Sequence, residues 1–220
     1  MDSPRLSRDT LAFLIGVPLA WAVLLLFHPS GDGEQLYQDL EGNVTAMLVV
    51  HIGTMLFIPL MAAAVYLLLR GVEGTAARVS RIALVPFVIF YGVWEALQGI
   101  ATAVLADEVN ALSGAQQATG AALLQDFADS PLVSDFGVFS TIGSLGLIVA
   151  LIAAGVALRH QDGVPLSVPV LLGISGFLIT AHPPPFGPTG LVLFVAAVVL
   201  YARSQSRAQA AAPLRRPRPA

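Results

Sequence analysis

Long apolar runs separated by short polar stretches make up most of the chain. Leu11 to Phe27, Val44 to Leu69, Ile82 to Ala106 and Phe136 to Leu158 can each cross the hydrocarbon layer as a helix, the first near the lower length limit. A basic start before Leu11 also resembles a signal peptide, with Ala20-Trp21-Ala22 as a cleavage signature. The apolar run continues through Val23 to Phe27, which favours an uncleaved helix. Between Arg159 and Arg203 the pattern is broken. Leu166 to Ala181 is apolar but holds Pro169, Gly173 and Gly176. His182 to Pro188 is too rich in proline for a helix, because proline lacks the amide donor and clashes with the preceding turn. Apolar positions then resume up to Ala202. This pattern predicts two short helices joined by a proline-braced turn, with a re-entrant pair as the alternative. The expected fold is an all-α membrane bundle with six spans, at about 11–27, 44–69, 82–106, 136–158, 166–181 and 187–202.

Composition agrees. Charged residues are 11% and hydrophobic residues 56% of the chain, too few charges to cover a water-facing surface. All eleven basic residues are arginine. They fall in the amino terminus, the Gly71–Ser80 loop with its flanks Arg70 and Arg81, the flank of the 160–164 loop, and the tail. The other two loops carry acids and no base: Asp32, Glu34, Asp39 and Glu41 in the first, Asp107, Glu108, Asp126, Asp129 and Asp135 in the second. The bias of Arg toward cytoplasmic loops then predicts a multi-pass protein of the cell membrane with both termini cytoplasmic. The lipid bilayer is the expected partner, and nothing in the charge pattern points to nucleic acid.

The acidic loop of 107–135 is long for a connection. Leu112, Thr119, Leu123 and Phe127 are near helical spacing, so a surface helix is expected there, either a lid over an external cavity or a solvated segment. Residues 1–203 are read as one transmembrane domain, and 204–220, rich in Ala, Pro and Arg, as a disordered basic cytoplasmic tail. Pro59 and Pro86 are expected to kink their helices. Small residues on the fourth span (Ser140, Ser144 and neighbouring glycines) and the fifth (Gly173, Gly176) suit close helix packing, within the chain or in a homo-oligomer or membrane partner.

An ionisable group in a span is costly, roughly 2.5–3.5 kcal/mol at a helix centre, so the few that occur carry most of the chemical information. Tyr91, Glu95, Gln98 and Thr102 share one face of the third span at i, i+4, i+7 and i+11. Counted from the outer boundary, Gln98 lies about 12 Å deep and Glu95 about 16 Å, and His51 on the second span lies about 10 Å deep. The prediction is an outward-opening polar pocket of His51, Glu95, Gln98 and Tyr91, with His28, Asp135 and His182 on its rim. His28 and His182 each precede a proline and are expected to close the outer ends of their helices.

Three uses of this pocket are open. It can bind a small molecule or share a proton between His51 and Glu95. Its histidines, His28, His51 and His182, can hold zinc or a haem, with no spacing signature to support either. It can also serve only as interhelical hydrogen bonding in a structural or partner-binding protein, with Glu95 neutral. No cofactor is specified by any motif. The chain has no Cys and no Lys, which excludes disulfides, thiolate sites and a retinal Schiff base. With no ATP-binding loop, dinucleotide fingerprint or kinase motif, the pattern defines a location and a polar cluster and leaves the question of an enzyme open.

Overall fold

The structure, a computed structural model, describes residues 6–29 and 35–211, with side chains to 207. Asp32, Glu34 and the arginines of 212–220 lie outside the described residues. Every regular element among the described residues is helical: α1 (Arg8–Leu25), α2 (Leu36–Leu40), α3 (Val44–Leu68), α4 (Thr75–Asn110), α5 (Gly114–Ala128), α6 (Val138–Asp162), α7 (Ser167–Thr180) and α8 (Phe186–Ala211). Five of them, α1, α3, α4, α6 and α8, are long and apolar enough to cross a membrane. Large apolar side chains stand outward along them, including Leu56, Ile82 and Leu145, each more than half exposed. An all-helical bundle with such an apolar exterior is a membrane protein, since lipid covers what water could not.

The helix ends follow local chemistry. Ser7 caps α1, its hydroxyl oxygen accepting from the Thr10 amide at 3.1 Å, with Asp9 in the positively polarised first turn. Gly74 starts α4 at φ 100°, and Gly163 ends α6 at φ 63°, in backbone regions that favour glycine. Arg81 donates to the carbonyls of Leu69 and Val72, both at 2.8 Å, closing the open C-terminal end of α3.

The main helix pairs are α1 with α3 and α8, α8 with α7, α7 with α6, α6 with α4, and α4 with α3. Trp21 on α1 donates to Thr54 on α3 at 3.2 Å, and its ring lies parallel to Phe57. Ser80 on α4 donates to the Ala150 carbonyl on α6 at 2.8 Å. The small residues of α6 serve the chain's own packing: Gly143 faces the Tyr91 backbone, Gly146 faces Phe87, and Gly155 faces Pro169 of α7. A Cβ at 143 or 146 would overlap α4 backbone atoms.

Several boundaries differ from the sequence reading. The third span is the longer α4, 36 residues from Thr75. It is also not uniformly α-helical. Phe87–Tyr91 and Glu95–Ala101 are π-helical. Pro86 immediately precedes the first π segment and has no amide to donate to the turn before it, so the helix widens where a kink was expected. The fifth helix, α7, has 14 residues and spans only about 21 Å, short of a hydrocarbon core of about 30 Å. α8 runs past Arg203 to Ala211, so the first part of the expected tail continues the helix. The acidic loop of 107–135 does contain a helix, α5, at 114–128, and α2 adds a short one before α3.

Candidate metal centre

Four segments meet at the end of the bundle opposite the arginines. His28 lies just past α1, with its amide bonded to the Leu25 carbonyl at 3.0 Å. His51 is in the second turn of α3, and Glu95 opens the second π segment of α4. His182 follows α7 and adopts φ 52°, the left-handed region that side chains other than Gly enter at a cost of roughly 1–2 kcal/mol. Such strain persists where the surroundings over-determine it, and it concentrates at functional sites. Past the end of the short α7, His182 lies beside Glu95, at 3.1 Å.

Glu95 joins two of the imidazoles. Its Oε2 is 2.6 Å from His51 Nδ1, and its Oε1 is 3.1 Å from His182 Nδ1. The second contact is at ion-pair distance without hydrogen-bond alignment. The Tyr91 hydroxyl also reaches His182 Nδ1, at 3.4 Å. His28 Nδ1 is 2.6 Å from the Pro29 carbonyl, which can only accept, so this nitrogen carries the proton. All three Nδ1 atoms are therefore engaged. The Nε2 atoms of His51 and His182 are buried with no partner.

The three rings form a close group. Their centroids are 5.1 Å apart for His28 and His51, 4.8 Å for His28 and His182, and 5.2 Å for His51 and His182. One ring nitrogen from each lies within 4.8 Å of the others. His51, Glu95 and His182 are almost fully buried, and His28 is half-buried. Burial, reinforced by the neighbouring His182 and His51, pulls the His28 imidazole down to about 3, which keeps it neutral near pH 7.

Packing around the group is tight. A Cβ at Gly99 would overlap the His51 ring, so glycine is required where α4 passes α3. Trp94 sets its ring edge-on to His182 at 5.8 Å and donates to the Val133 carbonyl at 2.8 Å, which ties the 129–137 turn over the cluster.

The structure thus brings together His51, Glu95 and Tyr91 from the sequence-derived pocket, and His28 from its rim. His182, expected on the rim, is inside the cluster at 2% exposure. Gln98 makes no bond to the pair; its Oε1 is buried without a partner in the second π segment. Asp135 is exposed on the turn before α6, where its backbone carbonyl accepts from Ser140 at 2.6 Å. Thr102 bonds the Leu97 carbonyl of its own helix at 3.1 Å. Gly99 and the Pro29 carbonyl were not anticipated. Their only sequence signals were a glycine one residue past Gln98 and a His-Pro step.

Neither a protein-family model, nor a curated protein, nor a solved structure matches this chain.

Proposed function

We propose that this membrane protein holds one divalent transition-metal ion, zinc first among them, on the Nε2 atoms of His28, His51 and His182. Glu95 is the outer-sphere carboxylate that fixes two of the ligands. The carrying observation is the polarity of the rings: His51 Nδ1 meets the Glu95 carboxylate, His28 Nδ1 the Pro29 carbonyl, and His182 Nδ1 the Tyr91 hydroxyl with Glu95 at ion-pair distance, while two Nε2 atoms are buried with nothing to bond. Metal-bound histidine almost always has this arrangement, its other ring nitrogen donating to a carboxylate or backbone carbonyl. Leaving a buried polar atom unpaired costs roughly 1–3 kcal/mol, and an ion removes that penalty at both positions.

Ring spacing supports the same reading. With Zn–N near 2.0–2.1 Å, tetrahedral geometry places imidazole centroids about 5 Å apart, which the three separations match. One nitrogen of each ring already lies within 4.8 Å of the others, and a shared tetrahedral ion requires about 3.3 Å between them. A haem is a poor fit, because its two axial imidazoles must stand on opposite faces of a macrocycle, and rings this close admit an ion but no such plane. Three protein nitrogens leave a fourth position for water or a substrate atom, the composition of a reactive rather than a closed structural site. A bound ion there supplies Lewis acidity to whatever occupies the fourth position.

The finer topology belongs to the same proposal: six crossings, with α7 as the short fifth, both termini cytoplasmic, and the metal centre below the outer surface of the cell membrane. It rests on the arginines gathering at one end of the bundle while the histidines gather at the other.

Elemental analysis of the purified protein tests this reading. The expected result is about one equivalent of zinc or another transition metal per chain, lost in His51→Ala/His182→Ala. A properly folded protein that is metal-free as isolated and does not take up added Zn²⁺ contradicts it. That outcome favours the second reading, a proton or small-molecule pocket on the 2.6 Å contact of His51 with Glu95.

A further inference from the structure

We propose that the cleft between the first turns of α1 and the last turns of α8 binds an anionic glycerophospholipid, its phosphate on Arg203 and Arg207 and its proximal acyl chain on Leu11 and Val199. The cleft has a volume of about 420 Å³ and is lined by Leu11, Val199, Ala202, Arg203, Ser206 and Arg207. It lies at the opposite end of the bundle from the histidines and does not depend on the metal reading.

Two features give this cleft its chemistry. Its floor is apolar, and its rim carries two guanidinium groups one helical turn apart on one face of α8. Arg8 lies one turn before Leu11 on α1 and adds a third positive charge at the same end. Second, no described residue engages Arg203 or Arg207 through a hydrogen bond or ion pair. Arg81 bonds the carbonyls of Leu69 and Val72, and Arg159 bonds the carbonyl of Val164. A pair of uncompensated guanidinium groups at a helix end suits a phosphate, which they can meet through paired N–H donors. Basic pockets between membrane helices on the cytoplasmic side are where acidic headgroups bind. A free phosphate would need the cations alone; the apolar floor directly beneath them selects a phosphate that carries a hydrocarbon chain.

The test uses the full-length protein, purified in neutral detergent and stripped of lipid. Its thermal midpoint is measured with added dioleoyl phosphatidylglycerol, with dioleoyl phosphatidylcholine, and with inorganic phosphate. Phosphatidylglycerol is expected to raise the midpoint by about 3–6 °C, and the other two by less than about 1 °C. Arg203→Gln/Arg207→Gln is expected to lose the gain while keeping its metal content and its midpoint in phosphatidylcholine. Leu11→Trp fills the cleft without touching a charge and is expected to lose the gain as well, which keeps the test decisive if the double variant fails to fold. An equal response to both lipids, a gain that survives in both variants, or a gain reproduced by phosphate alone overturns the proposal.

Discussion

Glu95 and His51 stand 2.6 Å apart, carboxylate to Nδ1, with both side chains buried in the membrane-spanning region. The contact engages Nδ1 and leaves the buried Nε2 without a partner, in a ring that lies about 5 Å from those of His28 and His182. A carboxylate that sets two imidazoles at once contributes to affinity without touching the ion. Glu95→Gln keeps the shape and an acceptor but removes the charge. It is expected to weaken Zn²⁺ binding about 10–100-fold, read by competition with a chromophoric chelator, while the apo thermal midpoint moves little. An unchanged affinity would deny Glu95 this orienting role.

Gly99 is the position most sensitive to size. Any Cβ there collides with the His51 ring at Cγ and Nδ1, the nitrogen that Glu95 holds at 2.6 Å. Gly99→Ala should destabilise the protein by about 1–3 kcal/mol and reduce metal occupancy at the same time. Gly92→Ala is the control, since a Cβ there meets nothing within 4 Å. Thermal melts with parallel metal analysis separate the two effects.

Acid should destabilise the metal-free protein through His28. Its ordinary value of 6.5 falls to about 3 in the folded chain, owing to burial first and then to His182 and His51. The unfolded state therefore binds more protons between those two values. The contribution is fully present above about pH 6.5 and is lost as pH falls toward 3. Glu95 also faces His28 and opposes part of this effect. The thermal midpoint of the apo protein should fall across that window, and His28→Asn should flatten the slope.

The arginine end and the histidine end of the bundle should lie on opposite sides of the membrane. The chain has no cysteine, so single cysteines report cleanly. Glu73→Cys, between α3 and α4, should be shielded from an impermeant maleimide in intact cells, and Asp129→Cys, after α5, should react. The reverse labelling pattern would turn the metal centre toward the cytoplasm.

The sequence carried the helices and one edge of the site. Apolar runs located the spans because lipid demands them, and the polar stripe from Tyr91 to Gln98 pointed to His51 through matching depth. Two physical effects were hidden. Periodicity was counted on a regular 3.6-residue helix, whereas the two π segments of α4 redirect Glu95 and leave Gln98 off the pair. Pro86 was the only signal of this, and a proline in a helix reads as a kink. His182 was assigned to the outer surface because His-Pro ends a helix. Its buried place beside Glu95 goes with the short length of α7 and a left-handed backbone at 182.

X-ray absorption at the zinc edge of the loaded protein bears most directly on the metal centre. The account predicts about three imidazole nitrogens at 2.0–2.1 Å with one further oxygen ligand, and loss of the imidazole scattering in His51→Ala/His182→Ala. A spectrum with no imidazole shell, or one unchanged by removal of both histidines, would contradict it.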